Sequence, residues 1–148
     1  MLFRSDATVQ IQILLLLREL QREFGMSVIF VTHDIGVAIE ICDRVAVMYA
    51  GQIVEQGTLS QIVRSPVHPY ARGLLASTVH GAKRGQRLET IPGTPPSLEK
   101  APVNCSFAPR CSFVEPRCLE QLPPNVPIGP DRIARCILAE RAEALAAR

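Results

Sequence analysis

No apolar run in this sequence approaches the roughly 18 residues that a membrane-spanning helix requires. The longest near the start, Ile13 to Leu17, runs directly into Arg18, Glu19, Arg22 and Glu23. No small-x-small cleavage pattern follows Arg4 and its apolar neighbours, which excludes a secretory signal and points to the cytosol. Charge of one sign is not in excess either: the formal net charge is +2, too weak to draw the chain to nucleic acid. No internal repeat is present. What remains is ordinary for a soluble globular chain of 148 residues, with an apolar fraction of 47% and a charged fraction of 20%, long enough to bury a sizeable core.

Proline divides the sequence, since ten of its twelve prolines lie between Pro92 and Pro130. That segment cannot be regular helix or central strand. The part before it alternates helix and strand patterns, as an α/β unit does. Asp6 is placed to cap a helix that runs to about Phe24, with Ile11, Leu14, Leu15 and Leu17 on its apolar face and Gly25 as its end signal. Val28-Ile-Phe-Val-Thr32 is a short apolar run rich in β-branched residues, and it predicts a strand buried on both faces of a parallel sheet. Val45 to Tyr49 and Gln52 to Glu55, joined at Ala50-Gly51, predict an antiparallel hairpin. Thr58-Leu-Ser-Gln61 matches a capping box for a brief helix that stops before Pro66. A further helix begins at His68-Pro69.

Ligands of open α/β sheets sit beyond the carboxyl ends of the strands. His33 directly follows the Val28 to Thr32 run, so that placement makes it a candidate site residue, against the plain alternative of a hydrogen-bonded histidine at a strand end. Asp34 reads better as the cap of the next short helix. Cysteine use is uneven: Cys42 lies in a helical pattern, whereas Cys105, Cys111, Cys118 and Cys136 cluster. Four such thiols in a reducing compartment suggest metal before disulfides. Their spacing lacks the close pair common in structural zinc sites, and four thiolates suit an iron–sulfur cluster, with zinc, free thiols or adventitious disulfides as the alternatives. Arg110, Arg117 and Arg135 each adjoin one of these cysteines and are expected to favour the thiolate form.

Val31-Thr-His-Asp34, followed by Asp43-Arg-Val-Ala-Val-Met-Tyr-Ala-Gly-Gln-Ile-Val-Glu55, resembles the final third of the nucleotide-binding domain of ATP-binding cassette (ABC) ATPases. Asp6-Ala-Thr-Val-Gln10 resembles the end of the D-loop that precedes it. His68-Pro-Tyr-Ala-Arg-Gly-Leu-Leu75, Pro92-Gly-Thr-Pro-Pro96 and Cys105-Ser-Phe-Ala-Pro-Arg-Cys111 are similar to motifs of the oligopeptide/dipeptide (peptide/nickel) importer branch. The resemblance covers about Asp6 to Cys136.

It implies an α/β fold: a partial P-loop NTPase domain over residues 1–80 and a small, irregular Cys/Pro-rich C-terminal extension over residues 81–148. It also implies a C-terminal fragment, because no Gly-x-x-x-x-Gly-Lys-(Ser/Thr) phosphate loop, signature sequence or catalytic glutamate is present, and Met1 to Ser5 does not match the Ser-Ala-Leu expected before Asp6. The expected function is that of an ATP-binding subunit coupling hydrolysis to import of di- or oligopeptides, with nickel as the alternative solute. ATP and magnesium are the implied cofactors of the full-length protein, with a 4Fe–4S cluster on Cys105, Cys111, Cys118 and Cys136.

His33 is expected to contact the terminal phosphate as the catalytic residue, and Asp6 to lie at the dimer interface with a second ABC ATPase subunit. The other implied partners are integral membrane permease subunits and, indirectly, an external solute-binding protein, with no nucleic acid. The location implied is cytoplasmic, peripheral on the inner face of the cell membrane. This chain alone is expected to be inactive. The competing class is a stand-alone, non-enzymatic iron–sulfur or zinc module.

Overall fold

The computed structural model describes residues 7–77 and 90–141, and the chain forms two compact units, residues 1–42 and 43–148. In the first unit, α1 spans Ala7–Phe24. Gly25 takes φ +60 and the Met26 N–H returns to the Gln21 carbonyl at 3.2 Å, so the glycine ends the helix by the left-handed turn that a side chain would resist. Asp6, its expected cap, lies outside the described residues. The helix α2, Ile35–Ile41, starts where Asp34 Oδ1 accepts the N–H groups of Gly36 at 2.9 Å and Val37 at 3.3 Å. Arg18 donates to the Glu40 carbonyl at 2.8 Å and ties the two helices.

The stretch expected to be a buried strand is not one. Residues 26–32 carry no regular structure, and Ile29 and Val31 are 93% and 90% exposed. A strand needs hydrogen-bonding neighbours, and among the described residues all strands pair with one another in a four-stranded antiparallel sheet of the second unit. The fold is therefore α/β with an antiparallel sheet, rather than the parallel one that the apolar run suggested.

The sheet has the order β1-β2-β4-β3. Strands β1, Arg44–Tyr49, and β2, Gln52–Thr58, form the expected hairpin, with Ala50 at φ 50 and Gly51 at φ 73. Positive φ at both turn residues matches the right-handed twist of the strands they join. Strand β2 ends in Thr58, which caps α3, Leu59–Arg64, through the reciprocal box with Gln61. Helix α4, Pro69–Ala76, follows, with His68 as its cap and Pro69 in its first turn.

The proline-rich segment supplies a 3-10 turn at Ala108–Arg110 and the one-turn helix α5, Arg117–Glu120. Its edge strand β3, Val126–Gly129, accommodates Pro127 where a missing N–H is tolerated. The inner strand β4, Arg132–Ala134, begins only after Pro130 and pairs with β2 at Glu55 and Gln56.

One core gathers Val47, Tyr49, Val54, Ile62, Ala71 and Phe107. In it Tyr49 lies 4.6 Å from Tyr70 and 5.3 Å from Phe107, ring centre to ring centre, in tilted and edge-on contacts that aromatic quadrupoles favour. A second core of Val67, Ala134, Cys136, Leu138 and Ala139 lies beside β4.

The sequence motifs acquire physical roles here. Gly73 stands where a Cβ would approach Ile91 Cγ1 to 2.8 Å, so its lack of a side chain admits the segment that leads into Pro92-Gly93. Arg110 then holds that segment, donating from Nε to the Pro92 carbonyl at 2.7 Å and from Nη2 to the Ile91 carbonyl at 3.2 Å. No helix among the described residues is long and apolar enough to cross a membrane.

Candidate metal centre

Four separate pieces of backbone bring the clustered cysteines to one place. Cys105 opens a turn that continues into the 3-10 turn, and Cys111 closes it by donating its N–H to the Ala108 carbonyl at 3.2 Å. Cys118 sits in α5, and its carbonyl accepts the Cys105 N–H at 3.1 Å. Cys136 comes two residues after β4. All four line a single cavity of about 10 Å³, together with His68, Pro69, Phe107, Ala108 and other apolar groups. That is about the volume of one water. The four form no disulfide, and among the described residues no His, Cys, Asp or Glu side chains are grouped so that they could hold a metal ion. The thiols surround a space without meeting at a point.

Each sulfur also receives a main-chain hydrogen bond. Phe113 N–H donates to Cys111 Sγ at 3.4 Å and Glu115 N–H to Cys118 Sγ at 3.4 Å. The backbone of Phe107 and Ala108 bonds to the Cys105 thiol, and that of Leu138 to Cys136. A neutral thiol is a poor acceptor and a thiolate a good one, so these amides favour the charged form.

Burial acts the other way and wins. It raises the Cys105 pKa, and it pushes Cys111 up to about 11 and Cys136 up to about 12, with the neighbouring thiols adding to the rise. The expectation that adjacent arginines supply the stabilising charge fails, because no guanidinium is among the causes. Arg110 is turned to the Ile91 and Pro92 carbonyls and to the Tyr49 hydroxyl at 3.2 Å, and Arg117 is exposed. Burial thus disfavours the thiolate at Cys105, Cys111 and Cys136.

Two features had no local signal in the sequence. His68, readable as a helix cap, is also a wall of the thiol cavity: it is 2% exposed, its Nδ1 accepts the Tyr70 N–H at 3.1 Å, and burial lowers its pKa to about 4. Glu55, 1% exposed, accepts from Arg132 at 2.7 Å, from the Val67 N–H at 3.0 and 3.1 Å and from the His68 N–H at 2.8 Å. Arg132 also bonds to the Ser65 carbonyl. Glu55 thereby fixes the chain leading into α4 from the strand beside it. A single acidic residue at a buried strand position was the available clue, but its partner lies 77 residues away.

The other expected site residues are not drawn to this centre. His33 is exposed, one residue ahead of the Asp34 cap. Asp6 lies outside the described residues. Cys42 belongs to the first unit, at the end of α2.

Residues 54–118, which run from the Glu55 strand through three of the four cysteines, match the family described as oligopeptide/dipeptide transporter, C-terminal region. Over most of its length the chain is also similar in sequence to ATP-binding proteins of peptide import. It is 46% identical over 138 residues to a provisionally named peptide import ATP-binding protein of Brucella ovis, a match that covers 89% of this chain and 41% of the relative. It is 44% identical to the oligopeptide transport ATP-binding protein OppD of Salmonella typhimurium over 131 residues, 88% of this chain and 39% of the relative. With OppD of Haemophilus influenzae the identity is 49% over 113 residues, 76% of this chain and 35% of the relative. The chain thus spans about two-fifths of the length of these curated relatives.

Proposed function

We propose that this chain contributes the C-terminal part of an ATP-binding subunit that couples ATP hydrolysis to import of di- or oligopeptides by an ABC transporter. Residues 1–80 would complete the nucleotide-binding domain, and residues 81–148 would form the importer-type extension. The observation that carries this reading is the family match over residues 54–118, whose motif residues have physical work in the fold: His68 caps, Gly73 admits Ile91, and Arg110 holds Pro92.

In the assembled subunit ATP and magnesium bind, a second ATPase subunit faces Asp6 and His33, and permease subunits hold the pair at the inner face of the membrane. His33 is exposed and follows a segment without regular structure, so it is free to meet a nucleotide in the assembled subunit. Its imidazole would orient phosphate and water, a positioning role on which phosphoryl transfer depends.

Cys105, Cys111, Cys118 and Cys136 are the ligands we assign to a 4Fe–4S cluster. The support for this reading is the donor type, four soft sulfurs that each receive an amide hydrogen bond and border one cavity, although they are not grouped as metal ligands in the apo arrangement. Such a cluster, held by these four residues, would supply a cross-link among four chain positions. The chain's part in loading is to release the thiol protons and to turn the thiols outward from the 10 Å³ they now enclose.

A chimera tests the transport role. Residues 7–141 are placed over the corresponding part of the Escherichia coli OppD relative, to which the chain is 44% identical, and tripeptide uptake is measured in cells lacking that subunit. Uptake that disappears with His33→Ala supports the reading, and a stably expressed chimera without uptake overturns it. The metal assignment is read separately, by iron and sulfide analysis of anaerobically reconstituted chain with each cysteine changed to serine in turn. Zinc without sulfide, or loss of the cluster in Cys42→Ser alone, refutes it.

A further inference from the structure

Of the three arginines that adjoin the clustered cysteines, Arg135 is the one that lines a different cavity. It follows β4, and its main-chain N–H still pairs with β2, donating to the Val54 carbonyl at 2.8 Å. Successive side chains of a strand point to opposite faces. Ala134 and Cys136, at 0% and 8% exposure, belong to the second core, so Ile133 and Arg135 stand on the other face of the sheet.

On β2 the same face is set by a bulge. Val47 pairs with Glu55 and Met48 with Ile53, which leaves Val54 as the extra residue. Val54 and Glu55 are therefore both buried, and Ile53 and Gln56 both return to the outer face, where Gln56 is the partner of Ile133. This face borders a cavity of about 400 Å³ that is open to solvent, a size common among small-ligand sites. Met48, Ile53 and Ile133 make its apolar wall, and Gln52, Gln56 and Asn125 add three side-chain amides.

Arg135 is the only charged lining residue among the described residues. Its side chain has no ion pair or hydrogen bond with them, and its Nε is shielded from solvent without a partner. The polar demand of the guanidinium is thus unmet on the protein side. An unpaired guanidinium, amides and aliphatic groups around one opening match a ligand that carries an anion, amides and an apolar side chain together. Those are the groups at the carboxyl end of a peptide.

We propose that this face of the sheet binds a short peptide by its C-terminal end. Arg135 takes the carboxylate, which its planar fork of donors suits. The amides of Gln52, Gln56 and Asn125 serve the peptide groups, donating to C=O and accepting from N–H. Met48, Ile53 and Ile133 cover the aliphatic side chains. Neighbouring strands lie about 4.8 Å apart and alternate residues of one strand about 7 Å apart, so Gln56, Ile133 and Arg135 fall within the span of two or three peptide residues. The site does not depend on the metal reading, since Cys136 faces away from it.

Equilibrium dialysis of the full chain against radiolabelled trileucine reads binding whatever the association state of the protein. The free acid should be retained saturably at about 1 mM or below, and its C-terminal amide, which lacks only the carboxylate charge, about tenfold more weakly. Arg135→Gln should weaken the free acid by about the same factor and leave the amide unchanged. Arg64→Gln, at an exposed guanidinium on the end of α3, should change neither. Acid and amide retained equally, or a preference for the acid that survives Arg135→Gln, overturns the site. So does the lack of saturable retention up to about 10 mM. Gln56→Ala removes one amide partner and should weaken acid and amide alike by about threefold; unchanged retention in that variant overturns the site even if Arg135→Gln fails to fold.

Discussion

Glu55 and His68 show how single residues hold the second unit together. The Glu55 carboxylate is buried with four donor contacts, and removing one partner of such a pair leaves an uncompensated charge in the interior. Arg132→Ala should therefore cost about 3–5 kcal/mol, and Arg132→Met paired with Glu55→Gln should recover part of it; urea denaturation followed by circular dichroism measures both. His68 gives a pH signature of definite sign. Its pKa is depressed to about 4 in the fold by burial, from an ordinary 6.5, so the unfolded chain binds a proton that the folded chain refuses. The stability this contributes is present above the ordinary value and is lost as pH falls from 6.5 through 4. Between pH 7 and pH 5 the loss should be about 2 kcal/mol, and His68→Asn should show a shallower dependence over the same interval.

At the scale of elements, turns and caps were readable in advance because their chemistry is local. Thr58 and Gln61 satisfy each other three residues apart, Pro69 supplies a first-turn φ, and Ala50-Gly51 takes the twist that a two-residue connection demands. The Val28 to Thr32 run misled for the same reason. Its composition is that of a buried strand, but strand formation depends on neighbours that composition does not encode. The pairing of β4 with β2 was equally hidden, since Glu55 and Ala134 are brought together by topology, as are the four cysteines and His68. Cysteine identity was legible, whereas the source of charge control was not: neighbouring arginines in sequence point elsewhere in space. Gly73 offers a test of element packing. Gly73→Ala should destabilise by about 1–3 kcal/mol because its Cβ would meet Ile91. The penalty should shrink in an Ile91→Ala background, and a thermal-melt double-mutant cycle would show additivity if the contact were unimportant.

On the scale of the whole molecule, the two units differ in how completely they bury their apolar residues. The second has two cores, whereas in the first Ile11, Ile13, Leu15, Leu16, Phe24, Ile29 and Val31 are all exposed. Such a surface favours association. The isolated chain should sediment as oligomers or aggregates at micromolar concentration, and changing Ile29 and Val31 to Thr should shift it toward monomer; a monomeric parent chain in analytical ultracentrifugation would contradict this. The long reach from Glu55 to Arg132 also sets an order of events during synthesis. At ribosomal speeds, the 77 residues between them take roughly 4–15 s to emerge. Through that interval β2 has its hairpin partner β1 but not β4, and its outer edge is open. The carboxylate on that strand then acts as a gatekeeper, a charge that discourages edge-to-edge pairing with other nascent chains until the arginine arrives to neutralise it.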